Sequence, residues 1–138
     1  MRNQQRVIRH PDEIPLDLQV VEQSHMPDSN IMPLDLVCKS PAMLASGLQV
    51  SISADGLLNA PFITGQILWC RARYDHYELN IRFSSAEHAQ RMRMFEQVCH
   101  IRHYRQSVKE HQGRTLSDEE AALEWIAKYA ALFPSNNL

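Results

Sequence analysis

Cys99 and His103 stand four residues apart, as do Glu96 and His100. On a helix that spacing brings a thiol and an imidazole, or a carboxylate and an imidazole, to one face. A thiolate and an imidazole so placed could share a metal ion, but a zinc-type site needs three or four ligands. Beyond His100 and His103, which form an HxxH in this same stretch, no CxxC and no further HxxH supplies them. The pattern reads as a core cysteine beside surface histidines, and no metal is expected. A Cys–His catalytic pair needs a nucleophile exposed in a strained turn and a third group to orient the base. Cys38 falls at the end of an expected strand, Cys70 within one and Cys99 mid-helix, so none of them fits. There is no GxSxG, GxGxxG or P-loop pattern, and four glycines leave little material for a phosphate-cradling loop. No enzymatic activity and no cofactor are expected.

Arginines offer a different chemistry. Arg2, Arg6 and Arg9 fall within the first nine residues. A guanidinium is a planar fork that pairs bidentately with phosphate and stacks on purine faces. Three of them on an arm beside a sheet could clamp a nucleotide against it. The competing reading is a solvated chain end, flexible over residues 1–13.

The elements that would position these groups divide by period. From Ile14 to Phe83 apolar residues tend to alternate, which predicts strands at Ile14–Val21, Ile31–Cys38, Leu48–Ile52, Phe62–Arg73 and Tyr77–Phe83. In the long candidate Phe62–Arg73, alternation puts Ile63, Gly65, Ile67 and Trp69 on one face. Turn signals between short strands predict a small closed barrel over 14–83, because closure removes exposed edges. From Ala86 to Phe133 the period becomes helical, giving a two-helix tail over 84–134. Ser84 or Ser85 can cap the first helix, whose apolar stripe includes Met92, Phe95, Val98 and Cys99, and Gly113 suits its end. Ser117 and Glu120 form a capping box for the second. Its stripe runs through Ala121, Ala122, Trp125, Ile126, Tyr129, Leu132 and Phe133.

Composition narrows the partners. Hydrophobic residues make up 44% and charged residues 22% of the 138, ordinary for one globular domain. A net charge of −2 argues against non-specific binding to nucleic acid or anionic membrane. No apolar run reaches the ~20 residues of a membrane-spanning helix. The N-terminus lacks the apolar core of a secretory signal. Three widely spaced cysteines suit reduced thiols, and a cytoplasmic location is expected.

Over residues 5–134 the chain resembles a PilZ domain. The segment GQILWCRARYDHYELNIRF, residues 65–83, is similar to the family's paired strands, a Gly-x-φ-x-Trp strand, a turn and a φ-x-φ-x-Phe strand. RMFEQVCHIRHYRQ and GRTLSDEEAALEWIAKYAALFP resemble the helical tail of a proteobacterial branch. The resemblance implies a six-stranded antiparallel β-barrel followed by two amphipathic helices, and cyclic di-GMP as the candidate ligand.

Family binding rests on RxxxR before the first strand and (D/N)xSxxG on the next. If Arg9 is the second motif arginine, Gln5 stands at the first, with Arg6 beside it. Arg2 and Arg6 match the spacing literally but lie further from the strand. Asn30 fits the second motif, Met32 replaces its serine and Asp35 its glycine. Each lost hydrogen bond to a charged group costs ~1.5–3 kcal/mol. A total of ~4–6 kcal/mol corresponds to three or four decades of affinity. The implied site is therefore Arg6, Arg9 and Asn30, with Arg2, Gln5, Met32 and Asp35 weaker. Two functions follow: a cyclic di-GMP receptor or adaptor with weak or lost binding, or a protein-interaction or self-association module working through the helical tail.

Overall fold

The computed structural model describes residues 6–21, 33–54, 58–83 and 85–133, with the backbone alone for 58–62. Six strands come first: β1 (Arg6–Arg9), β2 (Asp17–Val21), β3 (Leu34–Ser40), β4 (Gln49–Ala54), β5 (Leu58–Ala72) and β6 (Tyr77–Phe83). Two helices follow, α1 (Ala86–Gln112) and α2 (Asp118–Tyr129), then a 3-10 turn, Ala130–Leu132.

The strands form one sheet in the order β1-β3-β6-β5-β4-β2. Two features differ from the expected antiparallel barrel. First, β1 runs parallel to β3, Arg6 opposite Leu34 and Arg9 opposite Val37, so the sheet is mixed. Second, β1 and β2 are edges that do not pair with each other among the described residues, so the sheet is not closed. Filling takes the place of closure. Residues 10–16 carry the chain from one edge to the other, with Ile14 and Leu16 packed against the core. Helix α1 adds Ala89, Met92, Phe95 and Cys99 to that core, beside Leu34, Leu36 and Cys38 of β3 and Leu79, Ile81 and Phe83 of β6. Each buried aliphatic contributes ~1.5–3 kcal/mol relative to exposure.

Residues 6–9, placed by the sequence in a flexible arm, are a strand. Ile8 is buried, and the His10 N–H donates to the Val37 carbonyl at 2.9 Å, extending the pairing by one step. Pro11 favours extended backbone at His10 and then stops the ladder.

A one-residue irregularity reverses part of β5. Ile67 faces Ile81, but the register shifts before Trp69, which faces Asn80, while Cys70 faces Leu79. Such a bulge moves every later side chain to the opposite face. Trp69 therefore leaves the face shared by Ile63 and Ile67 and lies on the polar one, where the Arg71 guanidinium sits 4.1 Å from its ring centroid.

Both helix starts and the end of α1 fall where their caps predict, whereas α2 stops at Tyr129, short of the expected Phe133. Ser85 occupies the N-cap of α1 without a side-chain bond, and Gly113 closes it in the left-handed conformation, φ 68°. For α2 the capping box is complete: the Glu120 N–H donates to Ser117 Oγ at 3.1 Å and the Ser117 N–H to Glu120 Oε1 at 2.8 Å. No helix among the described residues is long and apolar enough to cross a membrane.

Gly65 lies where β5 presses on β6. A Cβ there would stand 2.7 Å from Ile81 Cγ2 and 2.9 Å from Phe83 Cε1. Gly65→Ala should destabilise the domain by ~1–3 kcal/mol through overpacking, read as a lower urea midpoint with unchanged slope. An unchanged midpoint would show that the two side chains yield freely.

Candidate functional site

The most unusual chemistry in the molecule is buried. Glu96 sits on the core stripe of α1, four residues after Met92 and three before Cys99, and is fully inaccessible. Its Oε2 lies 2.6 Å from His10 Nδ1, at the end of β1, and His10 is itself buried. His10 Nε2 lies 2.5 Å from the Ile14 carbonyl oxygen. Both ring nitrogens thus face acceptors. A neutral imidazole has a single N–H, so with Glu96 ionised both contacts are hydrogen bonds only if His10 is an imidazolium. Burial by itself would lower the His10 pKa, but the bond and charge of Glu96, the Ile14 carbonyl and the Asp12 charge together raise it. Burial likewise favours a protonated Glu96, yet the His10 hydrogen bond and the nearness of His10 and His100 hold it below the usual carboxylate value. The pair is a buried imidazolium–carboxylate.

His100 completes the link. Its Nε2–H donates to the Arg9 carbonyl at 2.9 Å, with Glu96 Oε1 3.6 Å away. The helical spacing of Glu96 and His100 therefore brings them together. Cys99 and His103 part company: Cys99 is buried, whereas His103 is exposed and paired with Glu13. Burial pushes the Cys38 thiol up to about 12 and also raises Cys99, so both remain protonated at neutral pH. Neither is a ready nucleophile.

The expected ligand residues are dispersed. Arg2, Gln5, Asn30 and Met32 lie outside the described residues. Arg6 and Arg9 are three apart on β1, so their side chains leave opposite faces. Arg9 bonds to Glu78 and lies 3.8 Å from Asp12. The Glu78 carboxyl, held below its ordinary range chiefly by the Arg9 hydrogen bond, also accepts from Arg73 at 2.7 Å. Asp35 is fully buried, gripped by Arg82 through Nε at 2.7 Å and Nη2 at 3.0 Å, with Asn80 Nδ2 at 3.3 Å. At this position the charge is a structural anchor of the polar sheet face.

Between β1 and the helical tail lies a groove of about 460 Å³. Val7, Trp125, Tyr129, Leu132 and Phe133 give it an apolar lining, with Arg9 and His100 at its polar side. Its rings lock edge to face, Trp125 to Phe133 at 5.3 Å and His100 to Phe133 at 5.1 Å between centroids. Ile126, Tyr129 and Leu132, expected on a buried stripe, are instead 52%, 46% and 65% exposed. A larger cleft of about 730 Å³ beside it is polar and charge-compensated, with Arg105 bonded to Asp118 and His103 to Glu13.

His10 and its bond to Glu96 escaped the sequence reading. The signal for Glu96 was its place on the Met92–Phe95–Cys99 stripe, where a carboxylate must be buried and hence paired. Comparison with protein-family models finds no match, and comparison with curated proteins and solved structures finds no significant similarity.

The pair makes stability pH-dependent in two directions. His10 is raised above its ordinary 6.5, so its contribution is complete below that pH and is lost as pH climbs through its folded value. Glu96 is lowered below 4.5, so its contribution is complete above that pH and is lost as pH falls through its folded value. Urea unfolding with chelator present should show this pair's contribution greatest between about 4.5 and 6.5. Glu96→Gln should cost ~3–5 kcal/mol there by stranding the imidazolium, and should flatten the alkaline limb. A variant profile parallel to that of the parent chain would rule out the charged pair.

Proposed function

We propose that the chain is a non-catalytic, PilZ-like adaptor domain of the cytoplasm, in which cyclic di-GMP binding is weak or lost and the groove beside β1 receives a protein partner. The observation that carries this reading is the groove itself. An apolar, aromatic-lined trough with Tyr129 and Leu132 exposed along its helical wall is what a partner's apolar side chains would fill.

The fate of the motif positions favours the adaptor over the receptor. A phosphate recruiting Arg9 would have to displace Glu78, a buried carboxylate already held from two sides. Taking Arg9 away leaves the buried Glu78 with Arg73 alone, a loss smaller than the ~3–5 kcal/mol of a fully stranded buried charge but unfavourable to binding. That cost adds to the hydrogen bonds lost at Gln5 and Met32. With Asp35 fully buried under Arg82, the position where the family motif has glycine offers no backbone approach to a base.

Calorimetric titration with cyclic di-GMP at physiological salt should therefore give no saturable heat from folded protein. Low-micromolar binding, abolished by Arg9→Ala and indifferent to Arg2→Ala, would make this a receptor instead. Peptide display against the folded chain should enrich segments bearing apolar or aromatic anchors. Leu132→Asp should remove that binding with unchanged circular dichroism. Enriched peptides that bind the variant equally well would place the working surface elsewhere.

A further inference from the structure

The ion pair of His10 and Glu96 does not account for everything around it. Glu96 Oε1 is buried and has no hydrogen-bond partner, since the nearby His100 Nε2–H is directed at the Arg9 carbonyl. A buried carboxylate oxygen left in that state is costly, about 1–3 kcal/mol or more. Cys99, on the same face of α1 as Glu96, brings its thiol into the same space. One donor atom each from His10, Glu96 and Cys99 lies within 4.8 Å of the other two, and all three residues are buried.

We propose that His10 Nδ1, the Glu96 carboxylate and Cys99 Sγ form a buried site for a divalent transition-metal ion of the zinc class. A mixed nitrogen, oxygen and sulfur donor set suits zinc or cobalt and not magnesium or calcium, which take oxygen ligands. Bond lengths of ~2.0–2.3 Å in tetrahedral geometry put ligand atoms ~3.3–3.6 Å apart, so small rotamer changes from the present spacing suffice. The outer contact is already in place: a metal-bound histidine characteristically donates its other N–H to a carbonyl or carboxylate, and His10 Nε2 faces the Ile14 carbonyl at 2.5 Å. Glu96 binding through both oxygens engages the orphaned Oε1.

Charge balance permits the exchange in so dry a place. Without the ion, imidazolium, carboxylate and thiol sum to zero. With it, a divalent cation, neutral imidazole, carboxylate and thiolate again sum to zero. Two protons leave, one from His10 Nδ1 and one from Cys99 Sγ, and the ion takes up the bonds they vacate. The enclosed volume carries no net charge in either state, which keeps the burial cost from rising. The ion would then tie the end of β1 to α1, doing through three residues what the ion pair does through two.

The test uses cobalt(II) on the full chain, stripped of metal with chelator. Cobalt is added to folded protein and, in parallel, supplied during refolding from urea, so that burial is no barrier to entry. The expected result is one equivalent bound, a thiolate-to-cobalt charge-transfer absorption, its displacement by zinc and a raised unfolding midpoint. Cys99→Ala should lose the charge-transfer band while keeping the circular dichroism of the parent. Cys70→Ala, which alters a thiol outside the set, should retain it. No band by either route from folded protein would overturn the proposal and leave the ion pair alone. A band surviving Cys99→Ala, or cobalt bound without a band, would also overturn it, the first assigning the metal to another cysteine and the second to exposed histidines.

Discussion

A buried imidazolium bonded to a buried carboxylate fixes how the two halves of this domain meet. Neither His10 nor Glu96 can stay charged in the core without the other, because a lone buried ion costs several kcal/mol after relaxation. The contact therefore sets two geometries together. It fixes the rotation of α1 about its axis, so that Met92, Phe95 and Cys99 enter the core while Met94 and Val98 stay exposed. It also fixes the end of β1, a strand of four residues that would be marginal by its own pairing. An edge strand that short presents little backbone to solvent, which itself limits unwanted pairing.

Charge neutralisation on the polar sheet face follows the same logic in a wetter setting. Glu78 is held by Arg9 and Arg73, and Asp35 by Arg82 and Asn80. These contacts run from β1 through β3 to β6, so the face is stitched across strands as well as along them. Exposed ion pairs contribute little, but Asp35 and Glu78 are buried, and each loses part of its compensation if one partner turns outward. The positions that resemble ligand contacts thus carry part of the sheet's own electrostatics.

The sequence made legible what depends on local chemistry. Ser117 with Glu120, and Gly113, mark helix ends through bonds within one turn, and the strands around β3, β4 and β6 follow from alternation. Four features were not legible because each depends on residues far apart in the chain. The bulge before Trp69 is one residue of slip against β6, invisible to a period of two read along β5 alone. Parallel pairing of β1 needs β3, nearly thirty residues later, and a four-residue segment rich in arginine carries no pattern of its own. Glu96 looks like any solvated helix carboxylate until the stripe it belongs to is turned inward. Its helical partner His100 was readable at i, i+4; its main partner, 86 residues away, was not. Openness of the sheet has the same origin, since alternation reports strands and not whether the last meets the first.

Strand β1 belongs to both surfaces, and this governs how any substitution there is to be interpreted. Val7 and Arg9 border the groove, the Arg9 carbonyl receives His100, and the Arg9 guanidinium neutralises Glu78 on the polar face. Removing that guanidinium leaves Glu78 with Arg73, a weaker compensation for a carboxylate so nearly buried. Lost binding in such a variant is then explained equally by a missing ligand contact or by a loosened edge strand. The two differ in stability: a contact residue alters affinity at constant unfolding free energy, whereas a strand held by its ion pairs alters both. His10 adds a second constraint. Because its ring is bonded at both nitrogens, β1 cannot shift along β3 without breaking the buried pair. The groove's strand wall is accordingly as rigid as the His10–Glu96 contact, and its adaptable part is the exposed edge formed by Tyr129 and Leu132.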